Sequence, residues 1–189
     1  MLDRQLLNSL LDLLRKHSLK RGEFTLSSGG HSTYYIDARL TTMSAAGLDI
    51  IGRLGLAAIR EAGWKADAVG GLTLGADPVA YAVALASRND PPIMDAFTVR
   101  KEAKTYGTSQ LIEGCLVRGS RAVVVEDVLT TGGSALRAVE AVRAAGGMVV
   151  AVLAVVDRLE GGLTAIQRAG LTVQALVSIR DLGIGPDAG

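Results

Sequence analysis

The segment Val123-Val124-Val125-Glu126-Asp127-Val128-Leu129-Thr130-Thr131-Gly132-Gly133-Ser134 constrains this chain more than any other. An apolar β-branched run reads as a buried strand, two adjacent acids mark its end, and a Thr/Gly-rich turn leads into a helix predicted from about Ser134 to Ala145. In an open parallel sheet, ligands bind beyond the carboxyl ends of the strands. A turn entering a helix presents free backbone N–H groups, which favour a dianionic phosphate. The hydroxyls of Thr130, Thr131 and Ser134 add donors, and Gly132 and Gly133 let a ligand approach without a Cβ in the way. Glu126 and Asp127 would repel that phosphate, so they must serve another part of the ligand. Ionised carboxylates only accept hydrogen bonds, which suits vicinal sugar hydroxyls. The expected ligand is therefore a ribose with its 5-phosphate on the turn and its hydroxyls on the acids. The plainer alternative is a threonine cap after a strand, with solvated acids; the ordered combination of strand, acids and turn favours the ligand site. No Gly-Lys-Ser/Thr follows the turn and no G-x-G-x-x-G occurs, which disfavours a nucleotide triphosphatase loop and a dinucleotide fingerprint.

The remaining pattern supplies a sheet for this site. Leu6, Leu7, Leu10, Leu11, Leu13 and Leu14 predict an opening amphipathic helix, and Phe24–Ser27 with Thr33–Ile36 a hairpin around Ser28-Gly29-Gly30. Helices are expected at Ala45–Ala62, Ala76–Ala86 and Leu163–Ala169, and strands at Ala66–Leu72, Ile93–Val99, Arg121–Val125, Met148–Val156 and Leu171–Val177. Strands apolar on both faces, alternating with helices, imply an α/β fold: a central, mostly parallel sheet flanked by helices. The 189 residues suit a single domain spanning the chain. With 20 Lys plus Arg against 19 Asp plus Glu the net charge is +1, and aromatics are 4%, so neither an electrostatic nor a stacking mode of nucleic-acid binding is expected. The N-terminus is too charged for a signal peptide and no apolar stretch is long enough to span a bilayer. The one cysteine, Cys115, excludes an intrachain disulfide and a Cys-rich zinc site; it is expected to be a small buried hydrophobe in a cytoplasmic chain. His17 and His31 are too few and too separated for a metal site, and Asp77-Pro78 is expected to set a turn or helix start.

A second motif, Arg100-Lys101-Glu102-Ala103-Lys104-Thr105-Tyr106-Gly107-Thr108, follows a predicted strand and reads as a polar loop over Lys101–Glu113. Three cations within five positions can close over a polyanion, and Lys104 is placed to neutralise charge on a departing group. A solvated basic loop is the plainer reading. Arg158, directly after an apolar strand, should emerge at the same crevice, where a guanidinium suits a carboxylate; a salt bridge to Asp157 or Glu160 is the alternative.

The segment Glu126–Ser134 resembles the 5-phosphoribosyl 1-diphosphate (PRPP) signature of type I phosphoribosyltransferases. The Arg-Lys-x-x-Lys-x-aromatic-Gly loop, the hood-like Gly22–Gly29 with Ser32–Tyr35, the Gly70–Pro78 segment and Val155-Val156-Asp157-Arg158 extend the resemblance over nearly the whole chain, to the orotate phosphoribosyltransferases. That resemblance implies the type I fold with a small N-terminal hood, built mainly from residues up to about 40 and the C-terminal strand region. It implies that Glu126, Asp127, Thr130, Thr131, Gly132, Gly133 and Ser134 hold the ribose 5-phosphate, and that Thr73, Leu74 and Tyr106 also contact PRPP. Arg100, Lys101 and Lys104 act on the diphosphate, Thr130 and Arg158 contact orotate, and backbone at Tyr35 and Ile36 closes over it. Mg²⁺ is implied as cofactor, carried mainly by PRPP oxygens and water, and a homodimer with shared active sites is implied as the assembly. Ser27, Leu74 and Tyr106 stand where relatives often carry Lys, Lys and His. The implied reaction is orotate plus PRPP giving orotidine 5′-monophosphate and diphosphate; a purine-specific relative and a PRPP-sensing regulator are the rivals.

Overall fold

A computed structural model describes residues 2–25, 31–102 and 111–185. Helix α1 (Arg4–Leu13) starts at Asp3, whose carboxylate accepts the Gln5 and Leu6 N–H groups, and it runs on through a wider turn to Ser18. Strands β1 (Leu19–Thr25) and β2 (His31–Ile36) pair antiparallel, with a register shift between Arg21 and Phe24. The hairpin therefore begins five residues before the expected Phe24: β1 pairs through its backbone while Lys20–Glu23 keep their side chains exposed, so no apolar alternation marks them. The expected turn at Ser28–Gly30 lies outside the described residues.

Next come α2 (Arg39–Thr42), α3 (Ala45–Glu61), β3 (Ala68–Leu72), α4 (Ala76–Asn89), β4 (Asp95–Val99), β5 (Ile112–Gly114), β6 (Arg121–Leu129), α5 (Gly133–Ala144), β7 (Met148–Asp157), α6 (Gly162–Arg168) and β8 (Thr172–Ser178). Strands β3 to β8 form one sheet in the order β5-β4-β3-β6-β7-β8, parallel except for β5. The Lys101–Glu113 stretch is thus not loop throughout: Ile112 and Glu113 pair with Val99 and Thr98, in a strand too short to show a period.

Alternation along β6 sets the layers. Val123 and Val125 pack with α3 and α4 residues such as Leu54 and Val83, whereas Ala122 and Val124 pack with Ala138 and Val142 of α5 and Ile166 of α6. The chain winds outward in both directions from the β3/β6 pair, so the strand order reverses there, and the crevice at that point is where a ligand is expected. No described helix is long and apolar enough to cross a membrane.

Candidate active site

The two acids do not end their strand. β6 continues to Leu129 because its β7 edge stays paired, Val128 with Val156 and Leu129 with Asp157, whereas pairing to β3 stops at Gly70–Val124. The parting of β3 from β6 opens the crevice in which Glu126 and Asp127 sit. Beyond Leu129 the turn encloses a cavity of about 190 Å³ lined by Glu126 and Val128 to Ala135. Gly132 has φ 88°, a left-handed conformation that glycine adopts without a side-chain clash, and it precedes α5 with no side chain capping the helix. A Cβ built on Gly133 would come no nearer to protein than 4.0 Å from Thr131 Oγ1, so the space over this residue is open. Thr131, Gly133 and Ser134 are exposed, with the first N–H groups of a 12-residue helix behind them. Concave shape, free amides and hydroxyls together make an anion cradle.

Glu126 is buried, and its Oε2 has no hydrogen-bond partner. Burial and the neighbouring Asp127 push its carboxyl up to about 8. Asp127 is also raised, chiefly by burial, although the Val128 N–H on its Oδ1 at 2.9 Å and the Arg39 charge pull it down. An unpaired buried polar oxygen is costly in the empty protein, and a hydroxyl placed against it would satisfy it in either protonation state. Asp127 also rests against Gly75: a Cβ there would lie 2.4 Å from its Oδ1.

Between the ordinary value of 4.5 and about 8, the unfolded chain has released the Glu126 proton that the folded chain keeps, so this group lowers stability as pH rises through that window. Glu126→Gln removes the titration. Its Tm should match the parent's near pH 4.5 and exceed it by roughly 5 °C or more at pH 9. Thermal unfolding across that pH range checks this; parallel Tm curves would refute it.

On the other side of the crevice, β3 is followed by a Thr73–Leu74 peptide that is cis, with Leu74 exposed. The Thr73 hydroxyl donates to Asp77 Oδ2 at 2.7 Å, the Thr98 hydroxyl donates to Asp77 Oδ1 at 2.8 Å, and the Thr73 N–H donates to the Val99 carbonyl at 2.8 Å. Buried Asp77 thus fixes the loop after β3 to the end of β4, a role beyond the helix start expected of Asp77-Pro78. A second cavity, about 520 Å³, brings Thr73 together with Arg100 and Lys101, and with Thr98, Glu102 and Glu113. Arg100 Nη1 lies 3.6 Å from Glu113 Oε1, and the Lys101 carbonyl accepts from Arg137 of α5 at 3.0 Å. Lys104 and Tyr106 lie outside the described residues.

Arg158 emerges at the end of β7, as its position predicts. Its Nη2 lies 2.8 Å from Glu160 Oε1, so the salt bridge expected as the alternative forms, and with Glu160 rather than Asp157. Its Nε donates to the Tyr34 hydroxyl at 3.2 Å, and its guanidinium carbon lies 5.0 Å from the centre of that ring. Tyr34 is buried whereas Tyr35 is exposed and packs on Phe24 with ring centres 5.7 Å apart; Ile36 is buried. Strand alternation turns Tyr34 inward, a signal present in the sequence, but its partner 124 residues away is not marked there. Cys115 is exposed, not buried: it follows the left-handed Gly114 at the sheet edge, and its N–H donates to the Ala96 carbonyl at 3.0 Å. Among the described residues no three His, Cys, Asp or Glu side chains come together to hold a metal ion.

Comparison with known proteins agrees with this geometry. Residues 42–167 match the family described as phosphoribosyl transferase domain. The chain is 49% identical over 181 residues to the orotate phosphoribosyltransferase of Mycobacterium avium, covering 95% of this chain and 97% of that protein. It is similar to the orotate phosphoribosyltransferase of Mycobacterium tuberculosis solved with Fe(III) dicitrate, at 46% identity and a TM-score of 0.85, covering 95% of this chain and 99% of that one. The same Mycobacterium tuberculosis protein solved with PRPP superposes with a TM-score of 0.79 at 44% identity, over 95% of this chain and 99% of that one. On this likeness over nearly its whole length, the chain belongs to the orotate phosphoribosyltransferase family of pentosyltransferases.

Proposed function

We propose that the protein transfers ribose 5-phosphate from PRPP to N1 of orotate, giving orotidine 5′-monophosphate and diphosphate on the route to UMP. The observation that carries this is the orphaned Glu126 Oε2 at the wall of the anion cradle, beside an Asp127 that packs on Gly75 in the same loop as Thr73 of the second cavity. Thr130 to Ser134 hold the 5-phosphate, Glu126 and Asp127 accept from the ribose hydroxyls, and Thr73, Leu74, Arg100 and Lys101 face the diphosphate. The Thr73 hydroxyl proton is committed to Asp77, so Thr73 serves the diphosphate through its backbone. Thr130 and Arg158 bind orotate, under the backbone of Tyr35 and Ile36.

The reaction separates charge: positive charge develops on the ribose and negative charge on the leaving diphosphate. The protein positions the two reactants and stabilises the departing charge with Lys104, Arg100 and Lys101. Glu126 and Asp127 are the acids that would face an Mg²⁺ carried in by PRPP, and such a hard cation, held mainly by PRPP oxygens and water, would neutralise diphosphate charge. We read the chain as one domain with a hood over its active site. Arg15 and Arg21 of the hood donate to the carbonyls of Asp181 and Gly183 after the last strand, which supports including that region in it. We also read the enzyme as a homodimer in which the Lys104 loop reaches the partner's site. The exposed Cys115 thiol suits a reducing, cytoplasmic setting.

The test is base-dependent diphosphate release with PRPP and Mg²⁺. Orotate should support turnover, and adenine, guanine and uracil should not. Release driven by a purine and not by orotate would overturn the reading.

A further inference from the structure

Resting on the reading that Arg158 receives the orotate carboxylate, we propose that Glu160 is a resident carboxylate on this arginine, which the substrate must displace and which retakes the guanidinium when product leaves. Three observations support this. Glu160 Oε1 is 2.8 Å from Arg158 Nη2, and the arginine side chain is only 13% exposed, so a largely sheltered guanidinium is held by a carboxylate that reaches solvent. Tyr34 fixes the guanidinium from a second direction, through the bond to Nε and the ring beneath. The third is the turn that delivers Glu160. Asp157, buried, accepts the Leu159 N–H on Oδ1 at 2.9 Å, and Leu159 is the one described residue other than glycine with positive φ, at 62°. A branched side chain rarely adopts this conformation, and such outliers persist where the surrounding structure imposes them. Here the reversal at Leu159 folds the chain back so that residue 160 meets residue 158.

The consequence is an exchange of one carboxylate for another. A ligand with a carboxylate gains Arg158 only by releasing Glu160, so its net gain is smaller than that of a free guanidinium. The product carries the same carboxylate as orotate, so Glu160 weakens its hold too and favours its departure. A ligand without a carboxylate leaves the pair intact and is indifferent to it. Glu160 is 38% exposed, so the effect is that of a partly solvated ion pair, about two- to fivefold in binding.

The experiment compares two nucleotides on the intact protein by titration calorimetry: orotidine 5′-monophosphate, with the carboxylate, and uridine 5′-monophosphate, without it. Glu160→Gln should tighten the first about two- to fivefold and leave the second unmoved. Arg158→Gln should weaken the first about tenfold or more, again leaving the second unmoved. If Arg158→Gln weakens the carboxylated nucleotide but Glu160→Gln leaves it unchanged or weakens it, Glu160 merely supports the arginine and the inference fails while the site reading stands. If Arg158→Gln has no effect, the assignment of Arg158 fails and the inference with it. Tightening of both nucleotides alike by Glu160→Gln also overturns it, since the effect then has nothing to do with the carboxylate.

Discussion

Asp127→Ala should raise the Kd for PRPP by about tenfold to a hundredfold and change that for orotate less than about twofold. The range is that of hydrogen bonds to a charged acceptor in a partly buried site. The surroundings of Asp127 prepare it to accept from a sugar: burial lifts the carboxyl, while the Val128 N–H and the Arg39 charge favour its ionised form. Its partner Glu126 does not replace the charge lost at 127, because burial and the neighbouring Asp127 push the Glu126 carboxyl up to about 8. Truncation to Ala leaves the backbone of β6 paired to β7 on both sides of the position, at Glu126 and Val128, so the fold should survive. Titration calorimetry with each ligand separates the effects. Equal losses for both would show that Asp127 supports the crevice as a whole and not the sugar.

Lys104→Ala should lower kcat by about a hundredfold to a thousandfold, the cost of removing one charge-stabilising group from a transition state. The Kd for PRPP should change much less, because the phosphate turn and the two acids remain. The described residues show how the segment is anchored: β4 and β5 are antiparallel, and the Arg100 N–H donates to the Leu111 carbonyl at 2.8 Å, so its two ends are held together at the mouth of the Thr73–Arg100 cavity. Arg137 adds a tie from α5, the helix that begins at the phosphate cradle, to the carbonyl of Lys101. Steady-state kinetics decides the matter. Unchanged turnover would remove Lys104 from the mechanism, and an equal change in Kd would make it a ground-state contact.

Much of this arrangement is legible in the residues. Apolar runs such as Met148–Val156 suit strands covered on both faces, and the acid pair followed by a Thr/Gly turn locates the crevice by chemistry alone. The acids resemble a strand end because polarity begins there. The ladder to β7 runs two residues beyond Asp127, since backbone pairing on one edge does not depend on side-chain polarity. The early part of β1 is hidden for the same reason: Lys20 to Glu23 are exposed on a two-stranded ribbon and carry no period. The exposure of Cys115 is hidden too, because residue type says nothing about the left-handed glycine that turns it outward. The Tyr34–Arg158 and Asp77–Thr98 contacts join residues far apart in the chain, so only the folded topology brings them together.

The packing of Gly75 on Asp127 binds the fate of two positions into one. A methyl group at 75 would have to occupy volume already filled by a carboxylate, so mutational drift at either position is confined by its neighbour. A bulkier residue at 75 is tolerable only alongside a smaller one at 127, and that exchange gives up the carboxylate we assign to the sugar. The loop after β3 and the acid on β6 are therefore sterically interlocked, and a search for altered sugar specificity in this scaffold would have to change the two together.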